Sequence, residues 1–239
     1  MKIALIGYGK MGKAIEEIAI SRGHEIVLKV GIENLEDNTI ENIRRADVAI
    51  EFTGPESAWQ NVKLCMDAGV PVVCGSTGWL NHLEEAKAYC KKSDTAFLYA
   101  SNFSIGVNIF FAINRQLAKL MNNQQGYNVD MTEIHHTEKK DAPSGTAITL
   151  AEQILQNLSY KNKWVNQPTT EPSELSIISE RIDPAPGTHT IRYFSDIDDI
   201  QITHTAHNRK GFAGGAVQAA EFISNKKGIF HMNDVLGID

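Results

Sequence analysis

The feature that constrains this chain most lies near its beginning. A wholly apolar run, Ile3-Ala4-Leu5-Ile6, passes directly into Gly7-Tyr8-Gly9-Lys10-Met11-Gly12. From there Met11, Ala14, Ile15, Ile18 and Ala19 recur at helical spacing. An unbroken apolar strand, as opposed to an alternating one, must be covered on both faces, and parallel sheets flanked by helices provide that cover. The same rhythm continues. Strands are expected over 25–30, 47–52, 70–74 and 95–100, with helices near 57–68 and 80–91. Strands that alternate with helices predict a Rossmann-type, doubly wound parallel sheet.

The rhythm then changes. A long helical pattern over about 107–121 leads into a strand over 127–136, a loop, and a helix over 146–158. Polar loop sequence and strand-like runs at 175–179, 188–194 and 200–205 follow, and a last helix is expected near 214–224. This half reads as a second α+β domain with a mainly antiparallel or mixed sheet, because no helices separate its later strands. The chain is therefore α/β with a second, sheet-containing domain.

Composition narrows the classes of function. A net charge of −6 over 239 residues leaves no basic stripe to neutralise phosphates, so neither nucleic acid nor an anionic membrane surface is an expected partner. No apolar run approaches the roughly 20 residues needed to span a bilayer. The N-terminus shows no small-residue cleavage site of a secretory signal. Cys65, Cys74 and Cys90 fit no metal spacing and read as reduced, core-packed thiols, as in a cytoplasmic protein.

The glycine turn fits G-x-G-x-x-G in the context that gives that pattern meaning, between a strand and a helix. Gly7 permits the turn, Gly9 lets backbone approach a pyrophosphate, and Gly12 lets helix and strand pack closely. Free N–H groups and the helix dipole then face the phosphates. An acid at the end of the second strand would hold the ribose; Glu33 stands there, as ribose ligand or as a solvated loop charge. Lys10 and Lys13 could meet a 2′-phosphate, so NADH and NADPH both remain open. Gly75-Ser76-Thr77-Gly78 and Ala100-Ser101-Asn102-Phe103 follow the fourth and fifth strands, at the carboxyl ends where open α/β sheets bind ligands.

The segment richest in chemistry is Glu133-Ile134-His135-His136-Thr137-Glu138-Lys139-Lys140-Asp141-Ala142-Pro143-Ser144-Gly145-Thr146-Ala147. Ser144, Gly145 and Thr146 open a helix and offer a carboxylate site, although Ser144 is equally placed to cap that helix. Lys139 adds a cation, and His135 or His136 can move a proton near neutral pH. Together these suit reduction of a carboxylate-bearing C=C or C=N group. Neighbouring strand residues point to opposite faces, so His135 and His136 would not share a metal. His189, His204 and His207 could add ligands only through the fold, and no metal site is expected.

These residues resemble the dihydrodipicolinate reductase family, whose active-site signature is an acid followed by H-H-x-x-K-x-D-A-P-S-G-T-A. Glu133, His135, His136, Lys139 and Asp141 to Ala147 meet it, and Glu51-Phe52-Thr53, Gly75 to Gly78, Asn102 to Asn108 and Phe212 to Ala216 extend the likeness along the chain. The resemblance implies a dinucleotide-binding domain from 1–104 and 212–239 and a substrate-binding and oligomerisation domain from 105–211. It implies a homotetramer built through the second sheet, and NADH- or NADPH-dependent reduction of a cyclic dicarboxylate on the route to diaminopimelate and lysine. By the same resemblance His135 carries the reacting proton, with Lys139 as a second donor. His136, Gly145 and Thr146 hold substrate, while Gly7 to Gly12, Glu33, Gly75 to Thr77 and Ala100 to Phe103 hold cofactor. Three departures stand out. The phosphate loop is one residue shorter than usual, Asn34 replaces the basic residue after the ribose acid, and the family's R-x-G-x-x-x-G element lacks its first glycine between Arg181 and Gly187. Two other readings stay in play: another two-domain amino-acid or sugar dehydrogenase, and a regulatory protein that binds NAD(H) without turnover.

Overall fold

The computed structural model describes every residue except Gln125, Arg209 and Asp239. The chain divides into two compact units, Met1–Ile105 with Lys210–Asp239, and Gly106–Arg209. The elements in order are β1 (Lys2–Ile6), α1 (Lys10–Ser21), β2 (Glu25–Val30), α2 (Ile40–Ile43), β3 (Val48–Glu51), α3 (Ala58–Asp67), β4 (Val72–Cys74), α4 (Leu83–Ser93) and β5 (Ala96–Tyr99). Then come α5 (Ile105–Met121), β6 (Asn128–His135), α6 (Gly145–Asn157), β7 (Lys163–Val165), β8 (Glu174–Arg181), β9 (Gly187–Phe194), β10 (Asp199–Ala206), α7 (Lys210–Ile223), β11 (Gly228–Phe230) and α8 (Met232–Leu236).

The first unit is built on a six-stranded, all-parallel sheet in the order β11-β5-β4-β3-β1-β2. Both faces are buried, as the unbroken apolar run of β1 requires. Ile3 and Leu5 join one core with Ile15 of α1 and Ala216, Val217 and Ile223 of α7, while Ala4 and Ile6 join the other with Trp59, Val62 and Met66 of α3. Each large apolar side chain so buried contributes about 1.5–3 kcal/mol. Sequence order reverses across β1 and β3, which makes the gap between their carboxyl ends the topological switch point. The short connection between β2 and β3 holds only α2 and a single 3₁₀ turn.

In the second unit a five-stranded sheet runs β10-β9-β6-β8-β7. The β10–β9 and β9–β6 pairs are antiparallel, whereas β6–β8 and β8–β7 are parallel. The sheet is thus mixed, as the expected antiparallel or mixed arrangement allows. Helix α6 lies between β6 and β8 in the chain and serves as the crossover that a parallel neighbour demands. Its apolar face, Ala147, Leu150, Ala151 and Ile154, joins Val129, Met131, Leu175, Ile177, Ile191 and Tyr193 of the sheet. No helix among the described residues is long and apolar enough to cross a membrane.

Candidate functional site

In the first unit the switch point is a cradle of backbone. Gly7 adopts φ +99°, and a Cβ there would stand 2.0 Å from the Phe52 carbonyl oxygen, so β1 and β3 end too close together for any other residue. Gly75 at the end of β4 lies under the Phe52 ring, where a Cβ would come within 2.1 Å of the ring carbons. Phe52 in turn packs against buried Phe103 with ring centroids 5.6 Å apart. At Gly9, by contrast, a Cβ would meet nothing within 4 Å. Gly9 is the N-cap of α1 and brings no side chain to cap it. Open space against the uncapped end of a twelve-residue helix fits a pyrophosphate.

The surrounding loops are held by their own hydrogen bonds. Glu51 on β3 is fully buried; its Oε1 accepts from the Thr53 amide at 3.0 Å, the Ser76 hydroxyl at 3.0 Å and the Thr53 hydroxyl, and its Oε2 faces Cys74 Sγ at 2.9 Å. The Ser76 carbonyl accepts from Trp79 Nε1 at 2.8 Å. Ser76 and Phe103 are therefore buried supports of the cradle, whereas Thr77 and Ser101 are exposed at its rim, with Ala100 and Asn102 partly so. The Asn102 side chain accepts from the Ser104 amide at 2.8 Å and so shapes the loop after β5.

At the far end of β2, Glu33 is exposed. Asn34, in place of a basic residue, closes the turn: Oδ1 accepts from the Gly31 amide and Nδ2 donates to the Lys29 carbonyl and Asp37, all at 2.8 Å. The Tyr8 hydroxyl donates to Glu16, which also pairs with Lys29 at 2.7 Å. Lys13 stands 5.9 Å from the Tyr8 ring centroid, and Lys10 is exposed beside Gly9. Cations thus border the loop, but the one on β2 already has a carboxylate partner.

In the second unit β6 ends in Glu133 and His135, two residues apart and on the same, inward face. Glu133 is completely buried, yet richly satisfied. Both its oxygens accept from the Ser144 amide at 3.1 Å, Oε1 accepts from Ser179 Oγ at 2.8 Å, and Arg181 lies 3.4 Å away. Burial alone pushes its carboxyl upward, but hydrogen bonds from His189, Ser144 and Ser179 outweigh it and hold the group far below the usual carboxylate range. The Ser144 hydroxyl caps α6 by accepting from the Ala147 amide at 3.2 Å, so Ser144 is a buried joint between the carboxylate and the helix start. Gly145 is exposed with nothing within 4 Å of a Cβ, and Thr146 is partly buried, which leaves room for an anion at this end of α6.

His135 is held on one side only. Its Nδ1 lies 3.2 Å from the Pro186 carbonyl, which can only accept, so Nδ1 carries the ring proton of the neutral form. A Cβ on Gly187 would stand 2.8 Å from His135 Cε1; glycine there lets the loop close over the ring. Nε2 is buried and unpartnered among the described residues, with Glu133 Oε2 at 3.5 Å. Burial, then the neighbouring His189, hold the imidazole below its usual value, and Lys139 acts in the same sense against Glu133. Lys139 itself pairs with Asp141 at 2.8 and 2.9 Å, and Arg181 donates to the Lys139 and Asp141 carbonyls at 3.2 and 2.6 Å. Next to this segment, His136, Thr137, Glu138, Asp183, Pro184, Pro186 and Asn208 line a cavity of 380 Å³. Asp183, standing where the family pattern has glycine, accepts from the Thr137 amide at 3.1 Å and hydroxyl at 2.7 Å, so a side chain fastens this loop instead of a bare turn.

His189 was not among the expected site residues. It faces Glu133 across the β6–β9 pair and is buried. Glu133, His135 and His189 place ligand atoms within 4.8 Å of one another, a set that could hold a metal ion. Glu133 already accepts from Ser144 and Ser179 beside a guanidinium, which leaves little for a dication. His136, as the alternation along β6 demands, is not part of this set.

Residues 1–103 match the family described as "Dihydrodipicolinate reductase, N-terminus", and residues 106–236 that described as "Dihydrodipicolinate reductase, C-terminus". The chain is 51% identical over 238 residues to the 4-hydroxy-tetrahydrodipicolinate reductase of Christiangramia forsetii, covering 99% of this chain and 98% of that protein. To the enzyme of that name from Neisseria meningitidis serogroup C it is 32% identical over 231 residues, 94% and 84% of the two chains. Among solved structures, the dipicolinate-bound dihydrodipicolinate reductase of Paenisporosarcina sp. TG-14 superposes with a TM-score of 0.77 at 22% identity over 97% of each chain, a likeness of fold. A probable dehydrogenase from Thermotoga maritima shares the fold more loosely, with a TM-score of 0.57 at 12% identity. With both halves matched and a 51% identical relative spanning its length, this chain belongs to the dihydrodipicolinate reductases, a family of NAD(P)H-dependent oxidoreductases.

Proposed function

We propose that this protein reduces 4-hydroxy-tetrahydrodipicolinate, by way of dihydrodipicolinate, to tetrahydrodipicolinate in diaminopimelate and lysine biosynthesis, with NADH or NADPH as reductant. The observation that carries the reading is the end of β6. A buried imidazole with an unpartnered Nε2 stands there together with a lysine and an uncrowded helix start, all within one short segment. Reduced nicotinamide, when bound, supplies the hydride. Hydride addition builds negative charge across a conjugated acceptor, and His135 gives the proton that quenches it. The lowered imidazole pKa makes the protonated ring a stronger acid while reducing the fraction of it present near neutral pH. Lys139 leaves Asp141 to meet a substrate carboxylate and serves as a second donor. Gly145 and Thr146 present the positive end of α6 to a carboxylate, and His136 contacts the ring from the cavity side.

In the first unit, Gly7, Tyr8, Gly9, Lys10, Met11 and Gly12 hold the pyrophosphate and Glu33 the adenosine ribose. Gly75, Ser76, Thr77, Ala100, Ser101, Asn102 and Phe103 frame the nicotinamide end. Residues 1–104 and 212–239 form the dinucleotide domain, and 105–211 the substrate and oligomerisation domain, through whose sheet four cytoplasmic copies assemble. The deciding assay follows NADH and NADPH oxidation with substrate generated by the preceding synthase. Oxidation with this substrate supports the reading. No oxidation, together with turnover of an amino acid or sugar, would assign the chain to another dehydrogenase class.

A further inference from the structure

The proton-handling role of His135 leaves one neighbour unexplained. His189 is buried at the centre of the second sheet, and its Nδ1 has no partner among the described residues. An apolar residue would fill that place without leaving a buried ring nitrogen unsatisfied. Its Nε2 lies 3.1 Å from Ser144 Oγ and 3.6 Å from Glu133 Oε2. His135 Nε2 approaches that same oxygen at 3.5 Å, and the two rings meet edge to face with centroids 5.2 Å apart.

We propose that His189 is a positioning residue for His135. The two imidazoles flank one oxygen of Glu133, and His189, tied to the cap of α6, holds that oxygen against His135 Nε2. This inference rests on the reading of His135 as the proton donor.

The hydrogen-bond bookkeeping supports it. With its proton on Nε2, His189 donates toward Ser144 Oγ and Glu133 Oε2, and the atom left bare is Nδ1, an acceptor, which is easier to leave unsatisfied than a donor. His135 has its own proton committed to Pro186, so its Nε2 and Glu133 Oε2 face each other as two acceptors. One added proton satisfies both. The charged groups around His135 are Glu133 on β6, His189 on β9, Arg181 on β8 and Lys139 in the following loop. Of these, Glu133 alone favours the imidazolium, and its reach to Nε2 is what His189 fixes.

Two substitutions separate position from charge. His189→Gln keeps a nitrogen donor near the place of Nε2 but cannot be protonated; His189→Leu keeps neither. The titration of the His135 ring, read by NMR and assigned with His135→Asn, needs no substrate. Its midpoint is expected to fall by roughly half a pH unit or more in His189→Leu, where Glu133 Oε2 is no longer held against Nε2, and to stay near the wild-type value in His189→Gln. The pH profile of kcat should move with it. In His189→Leu kcat is expected to fall roughly tenfold with KM and NADH affinity held within about twofold, and His189→Gln should recover most of that loss. A His135 midpoint that is unmoved or raised in His189→Leu, or a loss confined to KM, overturns the inference. If the wild-type protein fails to oxidise NADH with the dicarboxylate while the His135 midpoint still shifts, the proposed reaction falls and the positioning stands.

Discussion

Individual side chains carry the sharpest expectations. His135→Ala should lower kcat by a factor on the order of 10²–10⁴ and leave the NADH dissociation constant nearly unchanged, because the role proposed for the ring is to handle a proton and the glycine cradle belongs to the other unit. Unchanged kcat would remove it from the reaction. Lys139→Ala should both slow turnover and raise KM for the dicarboxylate, and steady-state constants equal to wild type would contradict the role given to its ammonium. Glu133 allows a test on stability. Its folded carboxyl lies well below the ordinary 4.5, so the unfolded chain binds its proton first, and the stability Glu133 brings is complete above that value and lost as pH falls below it. His135 and His204, mainly through burial, are held below 6.5, so acidification below that point also favours the unfolded chain. Two stages of acid weakening are expected. Glu133→Gln should lessen the lower one and cost roughly 1–3 kcal/mol at neutral pH, which denaturant titration from pH 7 to 3.5 would show. The sequence spelled out His135, Lys139 and the acid before them in one contiguous string. His189 was legible only as a spare histidine, because its meaning comes from strand pairing across more than fifty residues.

Among elements, α6 does the most for the site, and its start was readable from Ser144-Gly145-Thr146. The cap satisfies a free amide of the helix while the same residue's N–H holds Glu133, so one serine fixes both helix and carboxylate. Ser144→Ala should cost about 1 kcal/mol through the lost cap and raise KM for substrate, a result that thermal melts and initial rates would check; an unshifted melting temperature would deny the cap its weight. The alternation over the first hundred residues announced the parallel sheet because periodicity is a local property. Pairing is not local. The strands at 163–165 and 228–230 escaped notice because three residues give no period to detect, and the parallel β6–β8 pair was hidden because α6 was not recognised as its crossover. The four-residue helix at 40–43 went unread for the same reason of length.

For the whole molecule, ligand binding and stability should be linked. Pyridine-2,6-dicarboxylate, a planar product-like diacid, is expected to inhibit competitively against substrate and to raise the melting temperature by mass action on the folded state. Absence of protection at millimolar concentration would count against a diacid site. The overall charge of −6 repels such a dianion, so its capture must come from local positive ends such as Lys139, Arg181 and the start of α6. The way the first unit is stitched from two distant stretches has a further consequence during synthesis. Ala216, Val217 and Ile223 of α7 cover Ile3, Leu5 and Val48 of the early strands. While residues 106–209 are being translated, roughly 5–20 s at ordinary ribosomal speed, that side of the sheet has α1 but not α7 to cover it. A newborn chain must therefore leave part of that apolar layer unfinished until its tail arrives, and α7 is the latch that closes it.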